Sequence, residues 1–167
     1  MDWFYKVLGY VLYHWKISLL ILIALIAIPP IIVSITTKKK IKGLADNSLE
    51  MTPSEFFRMR NASLGGRGRK HISSANDYVG VYILYNESKN MYYVGQAKKV
   101  LQRINAHLTG HGNGDVYADF KYGDSFKIRT IAFAGSGYTS IDQLEKDTIA
   151  SYKAYSKGYN RTRGNSK

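Results

Sequence analysis

The apolar positions of this chain fall into two regimes: one unbroken run near the N-terminus, and short alternating or helically spaced groups in the second half. From Ile17 to Ile35 (ISLLILIALIAIPPIIVSI) nineteen positions carry no charge. Wound as a helix at about 1.5 Å per residue, such a run just spans the roughly 30 Å hydrocarbon core of a bilayer. A cleaved signal peptide has a shorter apolar region that ends in small residues. Here the run begins after sixteen residues and leads into Thr36, Thr37 and three lysines, which predicts a retained membrane anchor. Pro29 and Pro30 remove backbone donors inside the run and are expected to kink the helix or mark its end. Ahead of it, Trp3, Phe4, Tyr5, Tyr10, Tyr13 and Trp15 read as anchors at headgroup level, with His14 a passive neighbour.

Residues 36–77 read as a polar connector. Thr52-Pro53-Ser54-Glu55 combines an N-cap, a first-turn proline and a third-position glutamate, predicting a short helix to about Asn61. Gly65-Gly66-Arg67-Gly68-Arg69-Lys70-His71 reads either as an arm that touches phosphates or as a solvated linker. From Asp77 the pattern becomes that of a packed domain. Tyr78 to Tyr85 and Met91 to Gly95 are rich in β-branched and aromatic residues, and Asn86 to Asn90 supplies a turn, so a hairpin is expected. Leu101, Ile104 and Leu108 mark a helix over Val100–Leu108. A third strand is predicted over Phe126–Phe133 and a final helix over Ile141–Ser156.

Composition sharpens this picture. The 167 residues contain no cysteine, which excludes disulfides, thiolate metal sites and a cysteine nucleophile. Lys and Arg number 24 against 12 Asp and Glu, a formal charge of +12, nearly all of it beyond residue 35. That balance favours a polyanionic partner, either nucleic acid or an anionic membrane surface. Lys38, Lys39, Lys40 and Lys42 follow the apolar run, whereas Lys6 and Lys16, offset by Asp2, precede it. The positive-inside tendency therefore predicts a single-pass membrane protein with its C-terminal portion in the cytoplasm. Fourteen tyrosines suit nucleic acid and half-buried sheets equally.

One constellation carries chemistry. Gly80-Val81-Tyr82, ten residues, then Tyr93-Val94-Gly95, resembles the signature of the GIY-YIG nuclease family. Lys98-Lys99-Val100-Leu101-Gln102-Arg103-Ile104-Asn105-Ala106-His107 is similar to that family's helix, whose arginine and histidine lie four residues apart on one face. Leu144-Glu145-Lys146 resembles the family's helical glutamate, and Gly158-Tyr159-Asn160-Arg161-Thr162 the segment bearing its asparagine. The elements occur in family order over about residues 78–164. Val81 and Val94 stand where the family has isoleucines, and the role of Gln96 is open.

The resemblance implies an α/β fold: a small domain over 78–167 with a three-stranded antiparallel sheet flanked by helices. It would follow an interfacial segment and transmembrane helix over 1–35 and the connector over 36–77. It also implies a phosphodiester hydrolase that uses one Mg²⁺ or Mn²⁺ per site, held by the single carboxylate of Glu145. Arg103 would neutralise nonbridging phosphate oxygens. Tyr82 and Tyr93 are the proton-handling candidates, and sequence does not say which is the base. His107 would take a proton from a tyrosine or position its hydroxyl, and Asn160 would organise the site. Lys98, Lys99, Arg129, Arg161 and Arg163 are candidate nucleic-acid contacts, with His111 a candidate substrate-loop residue. The expected partners are nucleic acid, DNA before RNA, and the lipid bilayer, with no small-molecule cofactor. A homodimer would let two single sites cut both strands, but nothing in the sequence demands one. The expected function is thus a membrane-anchored endonuclease acting on DNA, with defence against incoming DNA as its role. The rivals are a non-cleaving tethered nucleic-acid-binding module and a protein whose basic connector reads anionic lipid.

Overall fold

The computed structural model describes residues 2–62 and 76–165, so the basic stretch Gly65–His71 lies outside the described residues. The first helix, α1, runs Asp2–Asp46 without interruption. Its 18-residue window of mean hydropathy 2.8 makes it long and apolar enough to cross a membrane. Pro29 and Pro30 do not end it. The residues before and after the two prolines remain helical despite the two missing donors.

The chain divides into two compact units, Met1–Thr37 and Lys38–Lys167. The second therefore begins well before the hairpin. Ile41 and Ala45, in the last turns of α1, are fully buried in its core, as is Phe56 of α2 (Pro53–Asn61). The expected cap forms: Glu55 N–H donates to Thr52 Oγ1 at 3.3 Å, and Thr52 N–H to Glu55 Oε2 at 2.7 Å. Much of the expected connector is thus part of the packed unit.

The sheet has the order β2-β1-β3, from β1 (Gly80–Asn86), β2 (Met91–Ala97) and β3 (Phe126–Ala132), all antiparallel. Helices cover both faces. Tyr82 and Leu84 point to one, packing with Phe56, Ile104, Leu108, Val116 and Ile128. These come from α2, from α3 (Val100–Leu108), from α4 (Gly114–Lys121) and from β3. Val81 and Ile83 point to the other, packing with Val94, Ile41, Leu144 and Ile149. Leu144 and Ile149 belong to α5 (Ile141–Tyr152). The predicted final helix is interrupted at Lys153, which takes a left-handed conformation (φ +54°), and resumes as α6 (Ala154–Lys157). Burial of the central strand on both faces explains its unbroken apolar reading.

Each exposed sheet edge is occupied by non-strand chain, which blocks pairing with another molecule. Met51 exchanges two backbone bonds with Ile128 on β3 (3.0 and 2.8 Å). On β2, Tyr159 N–H donates to Tyr92 O at 2.9 Å, and the Asn160 side chain continues the ladder.

Candidate functional site

Tyr82 occupies the central strand and is 1% exposed. Register places Gly95 of β2 directly opposite it, and a β-carbon at that glycine would lie 2.2 Å from the Tyr82 hydroxyl. Glycine is therefore required where strand and phenol approach so closely. Tyr93 shares the face, its ring centroid 6.1 Å from that of Tyr82. His107 of α3 completes the group, 5.3 Å from Tyr82 and 4.8 Å from Tyr93 between centroids.

The position of α3 follows from Asp77. Its carboxylate accepts from Leu101 N–H at 2.8 Å and Gln102 N–H at 3.0 Å, capping a helix whose own N-cap, Lys99, makes no side-chain bond. One turn separates Arg103 from His107. Arg103 is exposed and makes no ion pair among the described residues, so its guanidinium stands beside Tyr82 free to meet an anion.

The tautomer of His107 is fixed by its surroundings. Asn113 backbone N–H donates to Nδ1 at 2.8 Å, so Nδ1 is an acceptor and the neutral ring carries its proton on Nε2. That Nε2–H donates to the Tyr82 oxygen, 2.9 Å away. Burial, with the nearby Arg103 charge, pushes the imidazole down to about 4. His107 thus holds the Tyr82 oxygen through Nε2–H, and its Nδ1 lone pair is taken by Asn113 N–H. Burial raises the Tyr82 phenol well above its ordinary value, Tyr93 adds to this, and Arg103 opposes it.

Glu145 of α5 reaches the backbone of β2 one residue beyond Gly95. It is 8% exposed. Gln96 N–H donates to its Oε1 at 3.1 Å, while Gln96 Nε2 and Asn165 N–H donate to Oε2 at 3.1 and 3.3 Å. Since Gln96 follows Gly95, one step of β2 joins the glutamate to the tyrosine. Asn160 binds both polar groups of Val94, accepting from N–H at 2.9 Å and donating to the carbonyl at 2.7 Å. It thereby ties the C-terminal segment to the strand that carries Tyr93 and Gly95.

A family model described as the GIY-YIG catalytic domain matches residues 78–160. The C-terminal domain belongs to the GIY-YIG nuclease family. Neither the comparison with curated proteins nor that with solved structures gave a match.

Of the residues singled out from sequence, Tyr82, Tyr93, Arg103 and His107 stand together, while Glu145 and Asn160 are set against the backbone of β2 at Gln96 and Val94. The basic candidates divide. Lys98 and Lys99 are exposed at the start of α3, close behind the site. Arg129 lies on the opposite sheet face, in register with Ile83, and pairs with Asp46 and with Glu50 at 2.8 Å. Its cationic signal belongs to an ion-pair cluster and not to the site. Arg161 pairs with Asp115 at 3.0 Å, and Arg163 lies 5.4 Å above the Tyr155 ring. His111 is exposed in the loop before α4.

Three contributors went unread in the sequence. Asn113 acts through its backbone, while its side chain caps α4 by accepting from Asp115 and Val116 N–H at 3.0 Å each. Gly112 leaves room for His107, since a β-carbon there would lie 2.4 Å from Nδ1. Gln96 bridges Glu145 and Asp142 through its amide. Of the three, Asn113-Gly114-Asp115 carried a legible signal, an N-cap residue with an acid in the first turn.

No group of three or more His, Cys, Asp or Glu side chains able to hold a metal occurs among the described residues, so any ion here has no closed protein cage. One carboxylate is what Mg²⁺ commonly takes from a protein, the remainder being water and phosphate. Glu145 fits this: its two oxygens accept three hydrogen bonds, leaving capacity for one more partner.

Proposed function

We propose that this chain is a membrane-anchored, divalent-metal-dependent endonuclease that hydrolyses phosphodiester bonds in DNA. One observation supports the chemistry above others: Tyr82 is gripped by His107 and faced by Arg103, while the next residue along the opposing strand from Gly95 orients Glu145. The apolar α1 supports the anchor, and the lysines that follow it favour a cytoplasmic nuclease domain.

In this reading Glu145 holds one Mg²⁺ or Mn²⁺, which supplies charge relief at the phosphate and lowers the pKa of bound water. The chain's residues do the rest. Arg103 binds nonbridging oxygens and stabilises their growing charge. Tyr82 is the general base: its oxygen has a fixed donor in His107 and the Arg103 cation beside it. Burial raises this phenol, so these two together with an ion at Glu145 would have to offset burial for it to ionise. Its own proton goes to solvent, since His107 Nδ1 is occupied. The phenolate takes a proton from the attacking water, the water oxygen bonds to phosphorus, and the bond to the 3′ oxygen breaks, that oxygen being protonated from solvent. Tyr93 orients the water.

Confinement to a membrane limits such an enzyme to nucleic acid arriving there, which is the basis for a role against incoming DNA. If a version starting at Lys38 protected cells as well as the full chain, that role would be lost. The enzymatic reading is tested with the full chain in detergent, incubated with plasmid in Mg²⁺, in Mn²⁺ or in EDTA, beside Glu145→Ala. Metal-dependent nicking or linearisation lost in the variant supports it. Equal traces from both proteins, with DNA bound but uncut, would move the assignment to the binding module.

A further inference from the structure

Beside the nuclease site lies a groove of about 370 Å³ between α5, α6 and the C-terminal segment. Its floor is apolar, from Ile149, Ala150 and the ring of Tyr155, and its rim is cationic, from Lys146, Lys153 and Arg163. None of the lining residues is acidic, and none of the three cations makes an ion pair among the described residues. The cations Lys89, Lys127 and Arg129 elsewhere on the domain are paired with carboxylates. An apolar slot under unneutralised charge matches a ligand with an aromatic face and flanking anions.

The groove's lining adjoins Glu145 along the chain on two sides. Lys146 is the next residue of α5, and Gly164 packs against it, the glycine's β-position lying 3.3 Å from the Lys146 Cα. Arg163 stacks over Tyr155, and two residues later Asn165 N–H meets Glu145 Oε2. At most about 7 Å of chain joins the two contacts. That is the scale of a single nucleotide step, so the groove and the Glu145 carboxylate can serve neighbouring positions of one strand.

We propose that the groove receives one unstacked nucleobase of the substrate strand, next to the phosphate served by Glu145. Tyr155, 45% exposed with the Arg163 guanidinium over its ring, provides the stacking face, and Lys146 and Lys153 meet the adjoining phosphates. This rests on the nuclease reading and narrows it: the substrate has an unpaired or easily extruded nucleotide beside the scissile bond. A base inside an intact duplex offers no face to such a slot.

The test uses the full chain in phosphatidylcholine nanodiscs and a fluorescein-labelled single-stranded DNA oligonucleotide. Affinity is read by anisotropy in EDTA, and cleavage separately in Mg²⁺. Stacking of one base on an aromatic ring corresponds to an affinity change of about 5- to 150-fold. Tyr155→Ala should lose affinity within that range, and Tyr155→Phe should restore it. An oligonucleotide with abasic positions throughout should bind wild type and Tyr155→Ala alike. Lys146→Gln and Lys153→Gln should each flatten the dependence of log K on log salt by about 0.7. Tyr155→Ala binding as tightly as wild type, with wild type still cleaving, overturns the groove and spares the nuclease reading. Wild type that neither binds nor cuts overturns both. A short-chain phosphatidylglycerol that perturbs wild type but not Tyr155→Ala, with oligonucleotide affinity equal in the two, would assign the groove to lipid and refute the proposal.

Discussion

Replacing His107 by glutamine isolates the cost of keeping a neutral imidazole at the centre of the domain. The native ring is pushed from 6.5 down to about 4, and the side chain is fully buried. At pH 7 both folded and unfolded chains carry it neutral, so its protonation costs nothing. As pH falls below 6.5 the unfolded chain takes up a proton that the native chain refuses, and stability declines. The loss is complete near pH 4, where the native ring also titrates. The gap corresponds to about 3 kcal/mol, because one pKa unit is about 1.4 kcal/mol. Glutamine removes this dependence while offering an amide donor towards Tyr82 and a carbonyl acceptor towards Asn113 N–H. Urea unfolding of both proteins between pH 7 and pH 4.5, followed by near-ultraviolet circular dichroism, should show the wild-type midpoint falling faster. Carboxylates held low by partners, such as Glu50 beside Arg129 and Asp119 beside Lys89, lose stabilisation in both proteins and cancel in the difference. Parallel curves would mean that the native ring titrates freely and would refute the argument. Nitrogen-15 shifts of labelled histidine give a direct check, with the Nε2–H form expected across this range.

Three further outcomes follow from specific contacts. Gly95→Ala sets a β-carbon 2.2 Å from the Tyr82 hydroxyl, and moving the phenol by about 1 Å should cost about 100-fold in single-turnover cleavage. Ile41→Ala should lower the stability of the Lys38–Lys167 unit by about 2–5 kcal/mol in denaturant titration, since Ile41 is fully buried. A fragment begun after Ile41 should show the same weakness. Arg129→Gln should leave oligonucleotide affinity within about twofold in anisotropy, because Arg129 serves Asp46 and Glu50 on the far face; its stability cost should be about 1 kcal/mol.

Sequence disclosed whatever lies in side-chain identity and spacing. The hairpin was visible because β1 and β2 are aliphatic and aromatic around a polar turn, and the capping box of α2 because its four residues are contiguous. Arg103 and His107 were singled out by the resemblance to the family's helix, and helical period put them on one face. Contributions made through the backbone or through chain remote in sequence were hidden. Ile41, Leu44 and Ala45 stand at helical spacing, but the stripe is short and set among lysines, so only the packed sheet face reveals what it covers. The turn Thr109–Asn113 reads as a glycine-rich loop, and its glycines concealed the helix that starts at Gly114.

That loop shows why a site can be recognised by motif while its chemistry stays undetermined. The identity of His107 is compatible with a base, an acid or a hydrogen-bond donor, and sequence spacing separates none of these. The choice is made by a main-chain N–H of Asn113, which any residue but proline would supply at that position. What the sequence must provide instead is the geometry that aims it: glycine at 112 to clear the imidazole, and an N-cap at 113 that starts α4 so that its own N–H turns back towards Nδ1. The donor that fixes proton direction at Tyr82 is therefore aimed by Gly112 and by the cap at Asn113 itself, in a turn that carries no catalytic side chain.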